Sequence, residues 1–295
     1  MTIDIFLDVN VARLSHVQWE QELEHLVQGG KAPQALQSHE DCALGRWIYG
    51  RGLATYAKNR DLWALKEAHK EFHHRADEVV TLMEKGDTPG AKAVMERIGQ
   101  LSREVVYRLT GMELAVLQRD WRSRALLHPG RMLDRLMGRP ASHKMFPMIA
   151  STVPRKRLGI GRSKVERRAI LLDANAARLT HVMWIQDLEH SFRHRGKGVQ
   201  VQPAEECDLG VWIHGEGHDE FGSAPEFLAL DQKHKEFHRY AQKTIASLSH
   251  GEYQHADTAY QHAIQLSQEI VVLLTRIELN FEDAKSLSKR IRSLL

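Results

Sequence analysis

The chain has 295 residues, 42% of them hydrophobic and 27% charged, and a formal net charge of +3. At roughly 100–200 residues per domain this length predicts two domains, with the composition of a soluble protein that can bury a core in each half. No apolar run approaches the roughly 20 residues needed to span a bilayer, and residues 1–9, with Asp4 and Asp8, are too short and too acidic for a secretory signal, so the expectation is a cytoplasmic protein.

Along the chain, Val11, Leu14, Val17, Leu23 and Leu26 recur with helical spacing. Gly29 and Gly30 are placed to end this first helix. A shorter helix is expected over residues 41–50, opening at Cys42. Asn59 and Asp61 are suitable caps for a third helix, carried by Leu62, Leu65, Ala68, Phe72, Val79 and Leu82. Gly86, Pro89 and Gly90 separate it from a fourth, carried by Val94, Ile98, Leu101, Val105 and Leu109. Strand-like alternation is scarce, so the reading is three long helices and one short one, a four-helix bundle. Residues 119–168 are different. They hold fourteen Lys and Arg against three Asp and Glu, a charge of +11, and four of the eight prolines, Pro129, Pro140, Pro147 and Pro154. Pro and Gly at this density break helices, and a basic, partly disordered linker is expected over 119–167.

Beyond the linker the pattern starts again. His16 and His181 are 165 residues apart (181 − 16), and the same offset relates Cys42 to Cys207, His69 to His234 and His73 to His238. Trp19/Trp184, Leu44/Leu209, Gly45/Gly210, Trp47/Trp212, Phe72/Phe237 and Glu104/Glu269 keep it without a gap. The chain is a duplication, and a period this long makes each copy a domain rather than a solenoid unit. The fold class expected is all-α: two tandem four-helix bundles over 3–118 and 168–283, the linker between them, and a C-terminal helix extension over 284–295.

The repeated residues carry metal chemistry. His69 and His73 are four apart in a helical stretch, so both rings leave one face. His16 from the first helix and Cys42 from the start of the short one would complete a set of four. Zinc favours closed tetrahedral sites of mixed N and S donors, and a thiolate argues against magnesium or calcium, which take oxygen. One HxxxH pair among eighteen histidines is a weak signal. A lone cysteine is as readily a small buried hydrophobe, and a single Cys42–Cys207 disulfide is an alternative, though two thiols make no disulfide framework. What carries the reading is that both cysteines occupy equivalent places, each with the same three histidines. The expected sites are therefore His16, Cys42, His69 and His73, and His181, Cys207, His234 and His238, with two zinc ions per chain.

Around these, Gly45 and Gly210 would let the cysteine turn approach closely. Trp47 and Trp212 would pack over the site, and Phe72, Phe237, Trp19 and Trp184 would belong to its core. His25 and His190 lie nine residues past the first ligand, about half a helical turn away, and would not share the site. Carboxylates that orient the imidazoles should exist, with Glu40, Asp41, Glu205 and Glu206 as candidates.

The set His16, Cys42-Ala-Leu-Gly-Arg-Trp47 and His69-Lys-Glu-Phe-His73 resembles the chemoreceptor zinc-binding domain, and so does His181, Cys207-Asp-Leu-Gly-Val-Trp212 and His234-Lys-Glu-Phe-His238. The resemblance covers both repeats and leaves out the linker. It implies a bacterial four-helix bundle with one zinc per domain, a tendency to pair, and a role in sensing zinc or oxidants for an attached output such as a chemoreceptor or a diguanylate cyclase. This chain shows no receptor signalling hairpin and no cyclase, so sensing would carry over while the output would not.

Three functions are then open. One is a regulatory module responsive to zinc, signalling through protein contacts. The second, with the same residues, is a redox sensor in which Cys42 and Cys207, held as thiolates, are oxidised; thiol exposure would separate the two. The third is a zinc-dependent or di-iron helical-bundle enzyme. Catalysis is disfavoured because four protein ligands fill the tetrahedron and Lys70 or Lys235, not Glu, follows the first histidine of each pair. A structural, zinc-stabilised scaffold is the plain alternative. The linker is read as a tether or protein contact rather than a nucleic-acid site, since Trp121 and Phe146 are its only aromatics apart from histidine. For assembly the expectation is cis pairing of the two repeats or a homodimer, with no membrane span.

Overall fold

The apolar stripe that begins at Val9 forms α1, Thr2–Val27, which stops where Gly29 adopts a φ of +91°. The Gly30 N–H then bonds the His25 carbonyl at 2.9 Å, closing the helix end. This is a computed structural model, and it describes residues 2–31, 37–126, 164–196 and 199–281. Cys42 caps α2, Ala43–Trp47, which runs through a π-helical turn, Ile48–Gly52, into α3, Leu53–Tyr56. The short helix expected over 41–50 is thus a longer, twice-jointed segment. Gly50 and Gly52 lie in the joint, where glycine weakens the regular helix. Asn59 caps α4, Arg60–Glu84, accepting the Asp61 N–H at 2.9 Å, and Gly86 at a φ of +77° turns the chain into α5, Thr88–Leu126.

The second copy repeats this order with α6 (Lys164–Arg193), α7 (Asp208–Ile213), α8 (Glu216–Phe221), α9 (Pro225–Ser249) and α10 (Tyr253–Phe281). All regular elements among the described residues are helical, giving two all-α bundles. Both ends of the expected linker are helical, since α5 continues to Leu126 and α6 starts at Lys164. The rest of the linker, 127–163, and the expected extension at 284–295 lie outside the described residues. Among the described residues, no helix is long and apolar enough to cross a membrane.

Each copy has its own core. Leu23, Phe72 and Leu101 belong to the first, and Leu188, Phe237 and Leu266, at equivalent places, to the second. A third apolar cluster joins the copies through α1, α5, α6 and α10. Eight of its nine buried members fall in equivalent pairs: Leu14 with Leu179, Val17 with Val182, Val106 with Val271, and Leu114 with Leu279. The two bundles therefore pack around a pseudo-twofold relation, with α1 facing its own core on one side and the other copy on the opposite side.

Charge is buried in this contact. Arg13 Nη2 lies 2.6 Å from Glu113 Oε2, and the equivalent Arg178 Nη1 lies 2.6 Å from Glu278 Oε2, all four side chains at most 1% exposed. Asn10 bridges the copies, accepting from Arg13 at 3.0 Å and Arg178 at 3.2 Å and donating to Glu278 at 2.7 Å. Burial and the neighbouring Arg178 charge press the Arg13 pKa down, while Glu113 opposes them.

Candidate metal centres

Each centre is assembled at the meeting of a helix start and a helix middle. Cys42 and Cys207 occupy the N-cap positions of α2 and α7, and their Sγ atoms accept the Gly45 and Gly210 N–H groups at 3.2 and 3.3 Å. A thiolate is favoured there by the unsatisfied N–H groups of the helix start. Glycine is needed because a Cβ on Gly45 would fall on the His39 carbonyl oxygen and one on Gly210 on that of Ala204. The close approach expected of these glycines is thus to the turn before the cysteine.

His69 and His73 meet the thiol from α4. Cys42 Sγ is 3.3 Å from His69 Nε2, and His69 Nε2 is 3.1 Å from His73 Nε2. In the second copy Cys207 Sγ is 3.1 Å from His234 Nε2, with His238 beside it. Within each group of Cys, His and His the donor atoms all lie within 4.8 Å of one another, and every member is buried. Ligands about 2.0–2.3 Å from a tetrahedral zinc stand about 3.3–3.8 Å from each other, so the shortest observed separations are within a few tenths of an ångström of that spacing. Both thiols are free, and the single-disulfide alternative is not the arrangement formed.

His16 and His181 stand beside these groups, outside the 4.8 Å set. The His16 ring lies 6.1 Å from that of His69 and is tilted on Phe72 at 4.2 Å; His181 lies 5.4 Å from His234 and 4.7 Å from Phe237. Both are buried, at 5% and 2% exposure. His16 Nε2 and His181 Nδ1 have no hydrogen-bond partner among the described residues. A buried ring nitrogen without a partner is costly, and a metal ligand is one way to satisfy it.

The electrostatics suit ligands. Burial lowers the pKa of His16 to about 3, of His69 to about 2, of His73 to about 4 and of His234 to about 3, and it depresses those of His181 and His238 as well. Neighbouring imidazoles add to the effect at His16, His69, His181 and His234. All six rings are therefore neutral near pH 7, with a lone pair available, as metal binding requires. Burial pushes both thiols up, while the Gly45 and Gly210 N–H groups pull them back toward ionisation.

The groups that orient the imidazoles were not legible in the sequence. His238 Nδ1 donates to the Gln202 carbonyl at 2.8 Å, and His73 makes the corresponding backbone contact with Gln37, 165 residues earlier. Backbone oxygens here take the place expected for Glu40, Asp41, Glu205 or Glu206. Asp41 is exposed and accepts instead from Ser38 Oγ at 2.6 Å. No residue type marks a backbone carbonyl that will accept from a ligand histidine.

Trp19 and Trp184 pack on the second histidine of each pair, with ring centroids 5.7 Å from His73 and 6.2 Å from His238. Trp47 and Trp212 instead join the short helices to their own aromatics, Tyr56 in one copy and Phe221 and Phe227 in the other. His25 and His190 are exposed and belong to neither Cys/His/His group.

This fold and these groups define a duplicated helical bundle with a zinc-fitting Cys/His/His cluster in each copy. Residues 16–80 and 181–245 match, as two tandem copies, the family model described as the chemoreceptor zinc-binding domain. Among curated proteins and solved structures, nothing matches the chain significantly.

Proposed function

We propose that the chain is a zinc-responsive regulatory protein that binds one zinc per repeat and signals by changing the protein contacts of its helices. The observation that carries this is the pair of buried Cys/His/His groups at equivalent places in the two copies. In the full reading His16 and His181 turn from their phenylalanines to supply the fourth ligand, so the sites are His16, Cys42, His69 and His73, and His181, Cys207, His234 and His238. A bound zinc supplies a cross-link among the first helix, the cysteine turn and the histidine helix of its repeat. Helix α1 then matters twice, because His16 lies between Leu14 and Val17, which belong to the contact between the repeats. Any shift of α1 that follows loss of its ligand is passed to that contact. The protein that reads the change is a signalling partner rather than a nucleic acid, and the setting is cytoplasmic.

Of the two triggers, zinc availability is favoured over oxidation. Cys42 is 8% exposed and Cys207 5%, and oxidation follows thiolate exposure. Four-ligand sites leave no open position for catalysis. The test is hydrogen exchange with and without a chelator. Faster exchange in α1, α4, α6 and α9 after zinc removal is the expected outcome. Exchange unchanged in all four helices would refute a zinc-responsive module.

A further inference from the structure

The contact between the repeats is twofold-related at its centre but not at its edge. Arg276 of α10 crosses to α1, with Nη2 3.1 Å from Glu20 Oε1 and 2.7 Å from Glu24 Oε1. Glu20 is 3% exposed, and its second oxygen accepts from Ser102 Oγ at 2.7 Å. The equivalent places 165 residues away hold Ile185 for Glu20 and Gly111 for Arg276. Ile185 is buried in the apolar core of its own repeat, and a Cβ added at Gly111 would meet nothing within 4 Å. One side of the pseudo-twofold thus carries an ion pair with a buried carboxylate and a half-buried arginine, and the other an aliphatic chain and open space.

We propose that the pairing face of repeat one is matched to repeat two and discriminates against a second copy of itself. Two copies of repeat one would each bury Glu20 opposite Gly111, without the Arg276 that pairs with it. Two copies of repeat two would each place Arg276 opposite Ile185. Glu189, standing where Glu24 stands in repeat one, is exposed and offers Arg276 only a screened contact at the edge. Leaving one member of a buried pair without its partner costs far more than the pair contributes, so specificity here comes from the penalty on wrong pairing. The partner that fits each face is the other repeat, and the unit of function is a pair of unlike domains. The inference does not depend on the metal reading.

The test inserts a protease site into the linker of the full chain and cuts it after purification. The two halves are then unfolded in urea, refolded together and weighed by native mass spectrometry. The expected result is at least about ten unlike pairs for every like pair, against one to one in statistical sorting. The double variant Glu20→Ile with Arg276→Gly gives both repeats the same residues at these places, and it should restore sorting close to statistical. Wild-type halves that sort statistically, or a double variant that sorts as strictly as wild type, would overturn the proposal. A second measurement needs no cutting. In the intact chain Arg276→Gly alone, which strands Glu20, should unfold at lower urea than the double variant, and the reverse order would contradict it.

Discussion

Adding one methyl group at Gly210 tests how the cysteine turn is built. In Gly210→Ala the new Cβ would fall on the Ala204 carbonyl oxygen and lie 2.8 Å from its carbon, both parts of the backbone that leads into Cys207. The turn must move, and with it the Gly210 N–H that bonds Cys207 Sγ at 3.3 Å and the thiol that stands 3.1 Å from His234 Nε2. Overpacking of this kind costs about 1–3 kcal/mol. A metal-free turn can relax, whereas a metal-bound one is pinned at Cys207, so most of that cost falls on affinity. At about 1.4 kcal/mol per factor of ten, zinc should bind the second site roughly 5- to 150-fold more weakly. Competition against a chromophoric chelator measures both sites in one protein, and repeat one serves as the internal control. Gly45→Ala should give the mirror result, weakening the first site and sparing the second. A second-site affinity within about twofold of wild type in Gly210→Ala would refute the claim that this glycine lets the thiol reach the metal position.

Further outcomes follow from the buried groups. Arg178→Met leaves Glu278 buried without its 2.6 Å partner and should destabilise the chain by about 3–5 kcal/mol in urea, while adding Glu278→Leu should recover most of the loss. Phe237→Ala opens a cavity beneath His181 at a fully buried position and should cost about 3–5 kcal/mol, with α9 still helical by circular dichroism. In metal-free protein the buried histidines have pKa values below that of the unfolded chain, with His16 and His234 at about 3 and His73 at about 4. The unfolded chain therefore takes up more protons below pH 6.5. The stability due to neutral rings is complete above that value and is lost as pH falls toward the folded pKa values. Each such ring should cost about 2 kcal/mol at pH 5, and the urea midpoint of the metal-free protein should drop sharply between pH 7.5 and 5. A flat profile would contradict the burial of these rings.

The sequence made the duplication and the helices legible because the rare residues kept one offset and the apolar residues one period. His69 and His73 share a face because they stand four apart on one helix, and Cys42, legible only through its repetition at Cys207, lies with them. The contact between the repeats was not legible in residue detail. Leu14, Val17 and Leu23 read as one stripe on the first helix, yet Leu14 and Val17 face the other repeat while Leu23 faces its own core. Periodicity shows that a face is apolar and cannot say what covers it. Arg13 and Glu113 gave no signal at all, because charged residues are almost never fully buried unless paired and the pairing is 100 residues distant. The π-helical turn after α2 was equally hidden, as the glycines within it are also compatible with a simple helix end.

The central claim is that each repeat holds one zinc through its cysteine and histidines. Elemental mass spectrometry of the purified, untagged chain tests it most directly, beside the variant Cys42→Ala with Cys207→Ala. The account predicts about two zinc ions per chain, one for each closed Cys/His set, and loss of both in the variant. A wild-type chain without zinc, or a variant that keeps its full complement, would contradict it.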